Sequence, residues 1–230
     1  MNVVVTFFFF QAEDVIRYLV RSRGLGDVYK RQVLFHPLPE KPESCIVLYY
    51  CSYLPLHGVD VVVEAAKLLQ AESSIRFKII GRGTEFGKIQ RLVQEKQVNN
   101  VELAAPVAVE QLPFEIQDSI ICLGGHFGAS SKACRVIPGK VFQMIAMGKP
   151  VIVGDNAANR ELLTHQVDSW FCEMNNPEAL ANAVNVLYHN KALRSQIAGE
   201  ALKTYQREAK SELLKSVVQN SIIDALDFHE

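Results

Sequence analysis

Hydrophobic and polar positions along this chain alternate between two periods. Residues 45–51 are continuously apolar with β-branched and aromatic members, the pattern of a strand buried on both faces of a parallel sheet. From Gly58 onward, apolar residues recur at Val61, Val62, Ala65, Leu68 and Leu69, the spacing of one helix face. The cycle repeats with a strand at 76–80 and a helix at 84–96. Further strands are expected at 101–104, 119–123 and 150–153, with helices at 137–147 and 159–163. Parallel neighbours require crossover connections, so strands alternating with helices predict an α/β fold with a doubly wound, Rossmann-like parallel sheet.

The last third of the chain reads as helical. Asn176, Pro177 and Glu178 supply a cap, a first-turn proline and an acidic first turn, followed by Leu180, Ala183, Val184 and Leu187 on one face. Two more helices are expected, at 191–208 and 211–226. The latter gathers Leu213, Leu214, Val217, Val218 and Ile222 on one face. No internal repeat or low-complexity tract interrupts the pattern.

The N-terminus differs from the rest. Met1 to Phe10 is apolar, but no basic region precedes it and no small-residue cleavage site follows, so it makes a poor signal peptide. The run Ser22-Arg-Gly-Leu-Gly-Asp-Val-Tyr-Lys-Arg-Gln32 resembles one reading frame of a sequencing-library adapter. Residues 1–32 are therefore expected to be a non-native segment, the alternative being a native strand and helix. Residues 33–44 carry three prolines and mixed charge and read as a linker. Residues 45–230 read as the functional domain.

Composition narrows the function classes. The 230 residues include 24 Lys plus Arg against 25 Asp plus Glu, so the clustered positive charge that nucleic-acid binding relies on is absent. The five cysteines form no C-x-x-C pair, which argues against a zinc site and for a reducing cytoplasm. No run approaches the roughly eighteen consecutive apolar residues of a membrane span.

In open α/β sheets ligands bind beyond the carboxyl ends of the strands, where helix N-termini present free N–H groups. After the first strand this region holds His57 and Gly58; after the second it holds Gly81, Arg82, Gly83 and Thr84. After the fourth come Gly124-Gly-His-Phe-Gly128, then Ser130, Ser131, Lys132, Arg135, Pro138, Gly139 and Lys140. Three cations, two hydroxyls and a proline-led helix start are what a diphosphate would need.

The stretch Ile137-Pro-Gly-Lys140-Val-Phe-Gln143-Met-Ile-Ala-Met-Gly148-Lys-Pro150-Val-Ile resembles the donor-site signature of family-four retaining glycosyltransferases, in the branch reading Pro-x-Lys-x-x-Glu and then Ala-x-Gly-x-Pro-Val. Gly81 at its strand end, His57-Gly58 in place of Lys-Gly, and Asn156 to Leu163 follow in the family order. The resemblance covers about Ser44 to the C-terminus. It implies a GT-B donor domain holding a nucleotide sugar, with Lys140 and Arg135 as catalytic leaving-group stabilisers. His57, Gly58, Gly81, Arg82, Lys132, Ile137 and Gln143 are implied as donor-binding residues. It implies no metal and no cofactor beyond the donor, because cations and helix N-termini offset the charge on the departing diphosphate. It further implies attack on the face from which the leaving group departs, an acceptor in polysaccharide or glycolipid assembly, and room for peripheral membrane association of the full-length enzyme.

Departures from the family pattern are Gln143 and Arg135 where the signature has carboxylates, Cys51 for a glycine and Ser52 for an arginine. The acceptor domain that precedes such a domain has no counterpart in residues 1–32, so this chain alone is expected to transfer nothing. An alternative reading is a non-catalytic nucleotide-sugar-binding module. A phosphosugar isomerase-like domain would need a general base, and His126 has no carboxylate in its loop. It reads as structural or as a sugar contact. Trp170 is expected to pack in the core, and His165, His189 and His229 carry no assigned role.

Overall fold

The computed structural model describes residues 34–39 and 45–209. The N-terminal segment 1–32 and the expected helix at 211–226 lie outside the described residues. Six parallel strands form one sheet: β1 (Ile46–Cys51), β2 (Arg76–Gly81), β3 (Val101–Ala104), β4 (Ile121–Gly125), β5 (Val151–Gly154) and β6 (Trp170–Cys172). Their order is β3-β2-β1-β4-β5-β6. Seven α-helices are described: α1 (Val59–Leu68), α2 (Phe86–Glu95), α3 (Leu112–Gln117), α4 (Gly139–Ala146), α5 (Ala157–Leu162), α6 (Pro177–His189) and α7 (Lys191–Thr204). A π-helical turn, Tyr205–Ala209, continues α7.

Side chains alternate between the faces of a strand, so continuously apolar strands feed two cores. Val47 and Tyr49 of β1, Ile121 and Leu123 of β4 and Ile152 of β5 join one cluster, with α1 and α6. Leu48, Cys122, Val151 and Val153 join the other, with α4. Phe35, in the segment read as a linker, is buried in this second core.

Polar side chains complete the helix ends. Asn176 accepts from the Ala179 N–H at 2.9 Å, with Pro177 opening α6. At the other end of that helix, buried Arg194 donates to the carbonyls of Leu187, at 2.8 Å, and Tyr188. Asn190 caps α7 through the Leu193 N–H at 3.0 Å.

The chain order around the sheet reverses between β1 and β4, which opens a crevice at their carboxyl ends. The loops leaving these two strands are stitched together. Phe127 N–H donates to His57 O and Gly128 N–H to Leu56 O, both at 3.3 Å, and the Tyr49 hydroxyl donates to His57 O at 2.7 Å. Gly58 makes the approach feasible: its φ is +62°, and a Cβ there would stand 2.4 Å from Gly128 N.

Gly58→Ala is therefore expected to destabilise the fold by roughly 2–4 kcal/mol, combining left-handed strain with a backbone clash. Gly87→Ala in α2, where a Cβ meets nothing within 4 Å, is expected to be neutral or to stabilise by about 0.5–1 kcal/mol. Denaturant midpoints of the two variants check the contrast.

Candidate functional site

The crevice floor is built from the last residues of β1 and the first turn of α4. Tyr49 and Tyr50 point to opposite faces of the sheet, and Lys140 enters from the second position of α4. Its ammonium lies 3.9 Å from the Tyr49 ring centroid and donates to the Tyr50 carbonyl at 2.9 Å. Ring quadrupole and carbonyl dipole both favour a cation there. The Tyr50 hydroxyl donates to Gln143 Oε1 at 2.7 Å, one helical turn from Lys140. Pro138 enters α4 with extended backbone, and no side chain caps the helix start. A Cβ on Gly139 would meet nothing within 4 Å, so the first turn, the positive end of the helix, is uncovered.

His57 and His126 form the wall. Their rings stack with centroids 5.1 Å apart and planes inclined by 24°, and both side chains are buried. His57 Nδ1 accepts the Leu54 N–H at 3.2 Å, which places that ring's proton on Nε2. His126 Nδ1 is buried with no hydrogen-bond partner. Desolvation, reinforced by the Lys140 charge, pulls His57 down to about 4. The same desolvation, with Lys140, His57 and Lys132 beside it, pulls His126 down to about 3. Both imidazoles are therefore neutral at neutral pH. Burial also lowers Lys140 to about 8, an effect that negative charge on the neighbouring Cys51 would oppose.

The structure brings together His57, Gly58, Lys140 and Gln143 at the crevice, with Gly81 ending β2 alongside β1. Ile137 is buried in the second core and anchors the start of α4. Lys132 is exposed and reaches His126 through its field. Arg135, also exposed, donates from Nε to Ser131 O at 3.0 Å within the loop. Arg82 stands apart: its guanidinium packs 3.9 Å from the Phe86 ring centroid and donates to the carbonyls of Gly81 and Ala104. The loop after β4 is held from behind by Asn156, whose amide donates to Ala133 O at 3.0 Å while its carbonyl caps α5.

Tyr49, Tyr50 and the His57–His126 stack went unread in the sequence. The signal present was an aromatic pair just before a strand end, in register with a lysine at a helix start. Trp170, expected in the core, packs partly buried against the first cluster and also opens β6. His165 rests edge-on against it, with centroids 5.0 Å apart.

The profile of the family described as Glycosyl transferases group 1 matches residues 30–204. A curated relative, the amylovoran biosynthesis glycosyltransferase AmsK of Erwinia amylovora, is 23% identical over 126 residues, 54% of this chain and 31% of the relative. The chain spans less than half the length of the curated relatives it matches. Among solved structures, Anabaena Alr3699/HepE in complex with UDP-glucose superposes with a TM-score of 0.66 at 15% identity, covering 77% of this chain and 48% of that one. The C-terminal domain of a group 1 glycosyl transferase, LpcC of Francisella tularensis, also gives 0.66 at 15% identity, covering 78% of this chain and 97% of that one.

The neutral histidines carry a pH consequence. Their folded values lie below the unfolded value of about 6.5, so the unfolded chain binds more protons as the solution is acidified. Stability is full above that value and is lost as pH falls toward 4 and 3. Between pH 7 and pH 5 each histidine is expected to withdraw about 2 kcal/mol. Denaturant unfolding of His126→Phe, which keeps an aromatic ring in the stack, is expected to show a pH dependence shallower by about that amount. An unchanged slope would remove His126 from the account.

Proposed function

The chain belongs to the group 1 glycosyl transferases, and we propose that it is the donor-binding domain of a retaining, family-four, GT-B-fold enzyme. Such an enzyme transfers a hexosyl group from a nucleotide-diphosphate sugar to a polysaccharide or glycolipid acceptor. The observation that carries the reading is the Lys140 ammonium. It sits at the start of α4, in the crevice where the sheet order reverses, and no carboxylate among the described residues pairs with it. A cation so placed is poised for an anion, and the donor's diphosphate supplies one.

In this reading the diphosphate lies across the first turn of α4, near Lys140. As the glycosidic bond to phosphate lengthens, negative charge grows on the departing nucleoside diphosphate. Lys140, the α4 dipole and Arg135 offset that charge where it develops, which is how a fixed electrostatic environment lowers a barrier. Lys132 adds field at the mouth of the crevice. His57 and Gly58 shape the wall, and Gln143, already accepting from Tyr50, keeps its amide N–H groups for a ribose hydroxyl.

Support comes from two sides. AmsK is named for the biosynthesis of amylovoran. HepE was solved with UDP-glucose, and its fold is shared here. A second reading, a nucleotide-sugar-binding module without catalysis, draws on Gln143, which holds an amide where the resembling signature carries a carboxylate.

The test is calorimetric titration of the chain with UDP and with GDP, beside Lys140→Ala. Saturable binding of one nucleotide is expected. The variant should weaken it roughly tenfold to a hundredfold, the worth of a charge-assisted hydrogen bond. A folded chain that binds neither nucleotide would overturn the reading.

A further inference from the structure

The basic groups of the crevice share one peculiarity. His57 and His126 stack at 5.1 Å in buried positions, His126 Nδ1 has no partner, and the Lys140 ammonium rests between the Tyr49 ring and the Tyr50 carbonyl. The titratable groups that face them are Tyr49, Tyr50 and Cys51 from β1, Lys132 from the loop after β4, and one another. The two tyrosines are held neutral by burial, and so is the Cys51 thiol. Among the described residues, then, no anion balances this cluster. A cation drawn partly out of water without a counter-charge is costly, and the half-buried Lys140 gives up its proton more readily than a free lysine.

We propose that a nucleoside-diphosphate sugar binds this cluster with uptake of a proton from solvent, its diphosphate supplying the counter-charge that the fold withholds. The inference rests on the donor-site reading above. Each phosphate of such a donor is a diester-like group with one fixed negative charge, so the ligand itself does not titrate near neutrality. The proton passes from water or buffer to Nζ of the fraction of Lys140 that is a neutral amine in the free chain. Reversal of the step on product release returns the proton, which couples occupancy of the donor site to pH. Tyr49 serves this coupling as a positioning residue: its ring holds the ammonium while its hydroxyl holds the His57 carbonyl.

The experiment is titration of the chain with UDP-glucose and with GDP-mannose at pH 8, in two buffers of different ionisation enthalpy. Lys140 in the free chain stands at about 8, so about half a proton per site is expected to be taken up. Affinity is expected to fall about fivefold between pH 8 and pH 9. Lys140→Arg keeps a charge that does not titrate there, and the uptake is expected to vanish in it. Should arginine not be accommodated, the Lys140 side-chain resonances in the free and saturated chain read the same event. Its titration must then move up by about two pH units or more on saturation. Saturable binding with no proton uptake, or uptake that persists in Lys140→Arg, overturns the coupling while leaving the donor site intact. A folded chain that binds neither sugar nucleotide removes the donor-site reading and the coupling together.

Discussion

The structure depends on a seam where the sheet changes direction. β1 is the first strand laid down, and later strands add to it from both sides: β2 and β3 on one, β4, β5 and β6 on the other. The loops leaving β1 and β4 therefore diverge, and the gap between them has to be closed without filling it. Closure is made by backbone: the turn at Leu56–Gly58 bonds to Phe127 and Gly128 at a separation only a glycine pair tolerates. What remains open above that seam is the crevice. The histidine stack inherits its position from this contact, because His57 and His126 lie in the two loops it joins.

The seam also sets the electrostatics. Bringing the two loops together buries His57 and His126 against each other, with no carboxylate acting on either among the described residues. Desolvation then keeps both neutral. Lys140 keeps its charge to higher pH because an amine starts well above an imidazole: its fall from 10.5 to about 8 is as large as the fall of His57 from 6.5 to about 4. The result is graded: two bases that stay neutral through the physiological range and one that titrates at its upper edge. The same compactness that gives the crevice its shape makes its charge responsive to whatever anion enters.

Much of the fold was legible because long buried strands announce themselves. Residues 45–51 and 101–104 match β1 and β3 closely, and the Asn176–Pro177–Glu178 start of α6 is where the cap chemistry put it. β4 begins two residues later than expected, since Ser119 turns inward and donates to Ile116 O to finish α3. β6 was not anticipated: three residues are too few to show a period, and only pairing with β5 makes them a strand. α3 was hidden by Pro113, which reads as a breaker in sequence but occupies the first turn, where its absent N–H costs nothing. At the site, residue types were legible and directions were not. Arg82 and Lys140 look alike as cations after strand ends. Yet Arg82 spends its guanidinium on the carbonyls of β2 and β3, whereas Lys140 enters the crevice.

Gln143 shows why such directions matter. It stands three residues after Lys140 on α4, the spacing at which side chains share a helix face. Both reach the end of β1, one at the Tyr50 hydroxyl and the other at the Tyr50 carbonyl. A carboxylate at position 143 would lie on the same face as the ammonium and favour its charge, holding Lys140 protonated with or without ligand. The amide accepts from Tyr50 equally well but brings no charge, so the lysine's counter-ion has to come from outside the protein. Read this way, the amide in place of a carboxylate leaves the crevice electrostatically incomplete, and that incompleteness makes ligand charge, rather than ligand shape alone, the term that decides whether the site is filled.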